Sequence, residues 1–156
     1  MEDTAGDRYT KYYPYLESNL EVVIAEGRVM AVTFPDEPHP ASDDEHELLE
    51  RIDGYLSGTV EDEFADVEIH IDATPDEHQV FEALRSIPYG ENSSVGDIAR
   101  AVPEYDAGTD DDIEAIREIL DRNPIPVIVP DHRVRDGPSA APPRVEQRLR
   151  SLEKIV

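Results

Sequence analysis

Asp131, His132 and Arg133 are consecutive and bring a carboxylate, an imidazole and a guanidinium into one short stretch of chain. A carboxylate beside an imidazole can act as an acid–base pair, as in a hydrolase, provided that other groups supply a nucleophile and a cavity. Nothing in the spacing supplies those parts, and the plainer reading is a polar cluster held by its own charges. An aspartate with a reference pKa of about 3.9 is ionised at neutral pH, but it attacks carbon far less readily than a thiolate does. The chain has no cysteine, which excludes sulfur nucleophiles, thiolate zinc sites and disulfide frameworks. His39 and His46 sit among acids in PDEPHPASDDEHE (35–47). They lack the regular ligand spacing of a metal site, so neither a metal nor another cofactor is expected.

The elements that must position these groups can be traced along the chain. Residues 20–34, LEVVIAEGRVMAVTF, read as a β-hairpin turning at Glu26-Gly27. Ser42 with Glu45 forms a candidate capping box ahead of a helix whose one face carries Leu48, Leu49, Ile52, Tyr55 and Leu56, with Gly58 beyond its end. Val67, Ile69 and Ile71 alternate with Glu68, His70 and Asp72, the pattern of a half-buried strand. Tyr9, Tyr12, Tyr13 and Tyr15 form an aromatic cluster suited to packing or to a dimer contact. At Thr74-Pro75-Asp76-Glu77 a strong helix start follows, with Val80, Phe81, Leu84 and Ile87 inward and Pro88-Tyr89-Gly90 as the stop.

Ser94 to Val102 reads as a short helix burying Val95 or Ile98 with Ala99 and Val102. Thr109 with Asp112 caps a third helix, whose inner face is Ile113, Ile116, Ile119 and Leu120. The run Asn123 to Pro130 is apolar and extended but too rich in proline for a central strand. Pro142 and Pro143 open a last helix with Val145, Leu149 and Leu152 inward. The expected fold class is therefore α+β: a small N-terminal unit of hairpin, helix and strand over 1–73, then a mainly helical unit over 74–156.

The 156 residues carry 37 acids against 14 bases, a net charge of −23. Residues 1–131 hold 34 acidic and 8 basic groups, whereas 132–156 hold 3 and 6. Arg133, Arg135, Arg144, Arg148, Arg150 and Lys154 make that segment the one basic patch, and neutralising acids folded against it is its expected use. Acids spread over nearly every element suit a salt-rich cytoplasm, where a Debye length of about 3 Å at 1 M screens self-repulsion. Halophilic adaptation and a soluble, cytoplasmic protein are expected, because no run of 18 apolar residues and no basic, apolar leader appears.

Three segments taken together, Ile87-Pro88-Tyr89-Gly90-Glu91, Asn123 to Pro130 and His132-Arg133-Val134, resemble the O6-alkylguanine-DNA alkyltransferase family. The helix VFEALRSIPYG precedes them in the family's order, and the hairpin, LLERIDGYLSG and the strand before Thr74 look like its N-terminal domain. The resemblance implies a helix-turn-helix at about 94–121 and an active-site-like motif at 123–134. In the family that motif reads Pro-Cys-His-Arg-Val, and its cysteine takes the alkyl group from a flipped guanine. Asp131 occupies the cysteine's place here, Asn123 a structural place near the site, and Glu153 that of the glutamate orienting the histidine. Asp131, His132, Glu153 and Asn123 thus form a degenerate site, and alkyl transfer is not expected.

By the same resemblance, Tyr89, Val95, Glu114, Arg133, Arg135 and Arg144 are the candidates for DNA or base contact. Val95 takes the place of the tyrosine that rotates the base, and Glu114 that of the arginine that fills the vacated stack. The second helix also carries Asp110, Asp111, Asp112, Glu118 and Asp121 against Arg117, a surface that phosphates repel. The family's glycine-rich wing is replaced by Asp136-Gly137-Pro138-Ser139-Ala140-Ala141. Two readings follow: an inactive, alkyltransferase-like protein that recognises alkylated DNA, or a descendant without DNA contact that serves as a protein-interaction or regulatory module. A repair or regulatory protein is the partner on the second reading.

Overall fold

The computed structural model describes residues 6–155; residues 1–5 and 156, which begin and end the two units expected from the sequence, lie outside the described residues. Three antiparallel strands open the fold: β1 (Asp7–Tyr13), β2 (Ser18–Ala25) and β3 (Arg28–Thr33), in the order β1-β2-β3. The hairpin expected at 20–34 is β2–β3. Its turn residues Glu26 and Gly27 have φ of 53° and 77°, the backbone that a two-residue hairpin turn needs. Strand β1 carries no signal in the sequence. The tyrosines of the aromatic cluster lie along it and the turn after it, with Tyr9 opposite Val22 and Tyr12 opposite Asn19. Only Thr10 and Tyr13 are buried on β1, a spacing of three that hides the strand period of two.

The strand expected at 67–71 is reduced to one parallel bridge, Val29↔Ile69. Val29 donates its N–H to the Glu68 carbonyl and accepts from the His70 N–H, each at 2.9 Å. Pairing ends there because the chain must reach the cap of the next helix at Thr74. Helix α1 (Glu47–Leu56) buries the five residues its spacing predicts. Its cap is His46, whose Nδ1 accepts from the Leu48 N–H at 3.0 Å, not Ser42. Ser42 is diverted, donating its hydroxyl to the His39 carbonyl at 2.8 Å. Backbone bonds of Asp43 to Arg8 and Thr10 tie the same loop to β1, so the box with Glu45 cannot close.

The helical part follows the sequence more closely. Helix α2 (Pro75–Arg85) starts with the Thr74–Glu77 capping box, and α3 (Val95–Ala101) with one between Ser94 and Asp97. Thr109 stands at the N-cap of α4 (Asp110–Asp121) but makes no side-chain cap bond. Asp112 instead accepts from the Asp106 N–H at 2.8 Å, closing the preceding turn. Pro143 begins α5 (Pro143–Glu153). One cluster of buried apolar side chains runs from Tyr13 and Leu20 through Ile52, Tyr55 and Leu84 to Ile116, Ile125 and Leu149. Each such burial is worth about 1.5–3 kcal/mol. The Tyr13 hydroxyl donates to the Leu49 carbonyl at 2.6 Å, and that of Tyr15 to the Arg148 carbonyl at 2.8 Å, fastening the sheet region to α1 and α5. Among the described residues no helix is long and apolar enough to cross a membrane.

These caps give a paired expectation. Thr74→Ala removes a working cap and should cost about 1 kcal/mol. Ser42→Ala should stay within about 0.5 kcal/mol, because its hydroxyl serves an exposed turn. Urea unfolding midpoints check both, and equal losses would refute the assignment of His46 as the cap.

Candidate functional site

The site is built on the proline-rich run between α4 and the short 3-10 turn Asp131–Arg133. Asn123 organises that run. Its Oδ1 accepts from the Ile125 N–H, and its Nδ2 donates to the Val129 carbonyl and to Asp131 Oδ2, all at 3.0 Å. Within the loop Val127 has a φ of 78°, a left-handed conformation that a β-branched residue takes only where its surroundings impose it. The Val32 N–H donates to the Pro124 carbonyl at 2.9 Å and docks the run on β3.

Asp131 is 1% exposed. Besides Asn123, its Oδ2 accepts from the Ala140 N–H at 2.9 Å, and its Oδ1 from the Ser139 hydroxyl at 2.6 Å. Burial raises its pKa, and the donors of Ala140, Ser139 and Asn123 offset that only in part. His132 follows, fully buried, with Nε2 2.8 Å from Glu153 Oε2 and 3.4 Å from the Tyr55 hydroxyl. The carboxylate accepts at Nε2, so that nitrogen carries the proton; Nδ1 is buried without a partner.

Glu153 is the hub. It accepts from Arg133 Nε at 2.7 Å and Nη2 at 3.0 Å, from the Gly90 N–H at 3.0 Å, and from the Tyr55 hydroxyl. Burial alone would raise its pKa, but the hydrogen bonds and charges of His132 and Arg133 outweigh this and hold it well below the usual carboxylate range. The Tyr55 phenol is pushed far up, by burial first and then by the charge of Glu153. Arg133 Nη1 donates to the Ile87 carbonyl at 2.7 Å. Arg150 donates to the His132 and Val134 carbonyls at 3.0 and 2.9 Å, securing the turn to α5.

Asn123 bonds Asp131 and His132 bonds Glu153, two hydrogen-bonded groups joined through the Asp131–His132 peptide. The base-contact candidates do not come together at one surface. Arg133 is 2% exposed and committed to Glu153 and Ile87, and Val95 is 1% exposed. Neither side chain is presented at the surface, because the first is consumed by the buried carboxylate and the second by the core. Tyr89 is half-buried, with its ring edge-on to Tyr55 at 5.9 Å and Arg133 above it at 5.9 Å. Glu114 is exposed on α4, 3.9 Å from Arg117. Arg135 donates to the Asn92 side chain, and Arg144 and Arg148 pair with Glu17 at 3.4 and 2.7 Å. Arg144 and Arg148 thus neutralise Glu17 within the fold, whereas Arg135 meets a neutral amide. His39 and His46 have their Nδ1 atoms occupied by the backbone N–H groups of Ala41 and Leu48.

Sequence reading misses Tyr55, Ser139 and Ala140. Tyr55 lies at a core position of an amphipathic helix, which says nothing of where its hydroxyl ends. Ser139 and Ala140 reach Asp131 through the turn of a loop, which leaves no periodic signal.

The model of the 6-O-methylguanine DNA methyltransferase DNA binding domain matches residues 75–149. A methylated-DNA–protein-cysteine methyltransferase of Mycobacterium leprae is 39% identical over 88 residues, 56% of this chain and 49% of that protein. The constitutive one of Bacillus subtilis is 43% identical over 61 residues, 39% of this chain and 34% of that protein. The chain thus matches about half or less of the length of these two relatives. One from Haemophilus influenzae is 27% identical over 135 residues, 81% of this chain and 72% of that one. In fold, the chain is similar to the O6-methylguanine methyltransferase of Mycobacterium tuberculosis, with a TM-score of 0.71 and 24% identity over 96% of this chain and 91% of that one. The OGT of the same organism in complex with DNA gives 0.71 at 23% identity, with the same coverage.

The two carboxylates should respond to pH in opposite senses. Glu153, depressed in the fold, stabilises above the unfolded carboxyl pKa of about 4.3, and that stability is lost as pH falls below it. Asp131, raised in the fold, favours the native state most below about 3.9, and its contribution declines as pH rises towards the folded pKa. Glu153→Ala strands Arg133 and should cost about 3–5 kcal/mol at pH 7 and less in acid. Asp131→Asn keeps an acceptor for Asn123 and Ala140 and should change stability by about 1 kcal/mol at most. Urea unfolding of the three proteins from pH 3 to 7 checks signs and sizes; a Glu153→Ala loss that grows in acid contradicts the assignment.

Proposed function

Starting from a chain that belongs, through residues 75–149, to the 6-O-methylguanine DNA methyltransferase family, we propose that it is a DNA-repair protein that engages alkylated DNA without taking the alkyl group onto itself. One observation carries this reading: the carboxylate of Asp131, which the resemblance puts at the place of the nucleophile, has both oxygens committed to the donors of Asn123, Ser139 and Ala140. Attack on an alkyl carbon needs an oxygen that can leave its donors and a path for the substrate. Conversion of Asp131 to an ester would take an oxygen away from those donors and leave them unpaired in the interior. His132 remains oriented by Glu153, but there is no thiol for it to deprotonate.

The scaffold nevertheless supports a retained binding role. Asn123 still braces the loop, and Tyr89 still stands at the edge of the polar cluster with its ring partly accessible. In a cytoplasm of high ionic strength, repulsion between phosphates and the acids of α4 is screened, and shape and stacking supply the affinity. The exposed acids Asp110, Asp111, Glu114, Glu118 and Asp121 favour a second reading, in which the fold works as a protein-interaction or regulatory module without DNA contact.

Two measurements test the proposal. Incubation with a duplex containing O6-methylguanine should leave the intact mass of the protein unchanged; a stoichiometric gain of one methyl overturns the inactive reading. Fluorescence anisotropy across roughly 0.2 to 3 M KCl should show tighter binding to that duplex than to its undamaged twin. Equal binding at every salt concentration overturns the lesion-binding reading, and no binding to either duplex supports the module reading instead. Asp131→Cys alone should not restore transfer, because the buried Val95 and the acidic Glu114 are unchanged by it.

A further inference from the structure

The segment 136–141, after the 3-10 turn, crosses Asp131 as a strap fixed at two points. At its start Asp136 Oδ1 accepts from the Val95 N–H at 2.7 Å. Towards its end Ser139 and Ala140 both donate to Asp131, at 2.6 and 2.9 Å, and the Ser139 hydroxyl also accepts from the Ala141 N–H at 3.1 Å. Between these points Gly137 lies so close to the core that a Cβ would come within 2.6 Å of Leu120 and 3.2 Å of Val95. Residues 137–140 are only half-buried. A cavity of about 430 Å³ borders Ala140 and Pro142, lined also by Val32, Phe34, Asn123 and Pro126. The strap therefore has open space beside it, and few bonds hold it against the site.

We infer that Asp131 acts as a latch: its carboxylate clasps Ser139 and Ala140, and the strap so held closes the space over Asn123, Asp131 and His132 until those two bonds break. The side chain at the centre of the site then opposes access to it. This inference rests on the lesion-binding reading only for what enters; the closure itself stands on the hydrogen bonds. A neutral residue that still accepts keeps the latch, whereas one that cannot accept opens it. Asp131→Asn offers its carbonyl to Ala140 and its amide N–H to Ser139, whose hydroxyl can turn to accept. Asp131→Ala offers nothing. Ser139→Ala removes one clasp from the strap side and leaves the Asn123–Asp131 bond in place, so it reports on the latch even if Asp131→Ala fails to fold.

Amide hydrogen exchange on the full chain reads the latch directly. The Ala140 amide should be protected in the parent and in Asp131→Asn, and should exchange at least about tenfold faster in Asp131→Ala and Ser139→Ala, a change expected when local opening loses a buried hydrogen bond. The Val129 amide, bonded to the Ile125 carbonyl at 2.8 Å, should stay protected in Ser139→Ala. A parent Ala140 amide that exchanges as fast as an unstructured one, or Asp131→Ala and Ser139→Ala no faster than the parent, overturns the latch. Anisotropy with the O6-methylguanine duplex separates the two proposals. Tighter binding by Ser139→Ala than by the parent supports both. Faster Ala140 exchange with no binding by the parent or any variant upholds the latch and overturns the lesion-binding reading; where the parent binds, unchanged or weaker binding by Ser139→Ala overturns the latch as a barrier to entry.

Discussion

Glu153 is a carboxylate cut off from water, and the groups folded against it replace its hydration. Its partners come from separate parts of the chain: Tyr55 from α1, the Gly90 N–H from the loop after α2, and His132 and Arg133 from the 3-10 turn. Removing any one segment leaves a buried charge or a buried donor unpaired, which costs far more than the pair contributes over an apolar substitute. The interaction therefore works less as a source of stability than as a statement of register. The last helix can dock in the position that delivers Glu153 to these donors and in few others. The helix ends there too, since Lys154 takes a left-handed φ of 61° and the Ile155 N–H returns to the Arg150 carbonyl at 2.9 Å.

A second buried carboxylate lies next along the chain from His132, and its surroundings differ in kind. Glu153 is met by a guanidinium and an imidazole, so its charged form is favoured despite burial. Asp131 is met by an amide, a hydroxyl and a peptide N–H, so desolvation prevails and its pKa rises. The contrast shows what each group can do. Glu153 fixes His132 and Arg133 in place, whereas Asp131 gathers a loop. A side chain that gathers a loop is turned inward with its oxygens occupied by the donors it holds.

How much of this the sequence discloses depends on the range of the interaction involved. The Thr74–Glu77 box, the Glu26-Gly27 turn and the inner faces of α1, α2 and α4 are decided by residues within one or two turns of each other, and all are legible. β1 is not, because its place is set by pairing with β2 and by Asp43, not by alternation of its own residues. Ser42 misleads for a similar reason: a box that is satisfactory locally yields to backbone bonds between Asp43 and the sheet. At the site, the grouping of Asn123, Asp131, His132 and Glu153 is legible through resemblance, but the burial of Arg133 is not. An arginine two residues after the motif's aspartate looks available until the fold shows Glu153 arriving from twenty residues downstream.

The charge distribution sets the conditions under which such a surface could meet DNA. Arg133, Arg144, Arg148 and Arg150 pair with Glu153, Glu17 and Glu146, so four of the six cations of the basic segment already face a carboxylate. Arg51 is likewise spent, bridging Asp62 and Asp66 at 2.8 Å each. Binding driven by counterion release needs free cations at the interface, and each phosphate left without one contributes no such gain. The pairs differ in how they respond to salt. Exposed ones such as Arg144–Glu17 weaken as the Debye length falls, while Arg133–Glu153, buried, is little screened. Rising salt therefore lowers the repulsion between α4 and phosphates without loosening the centre of the fold. Association with DNA on this scaffold would have to draw its free energy from shape and stacking, and would weaken on dilution of salt, the reverse of the usual dependence.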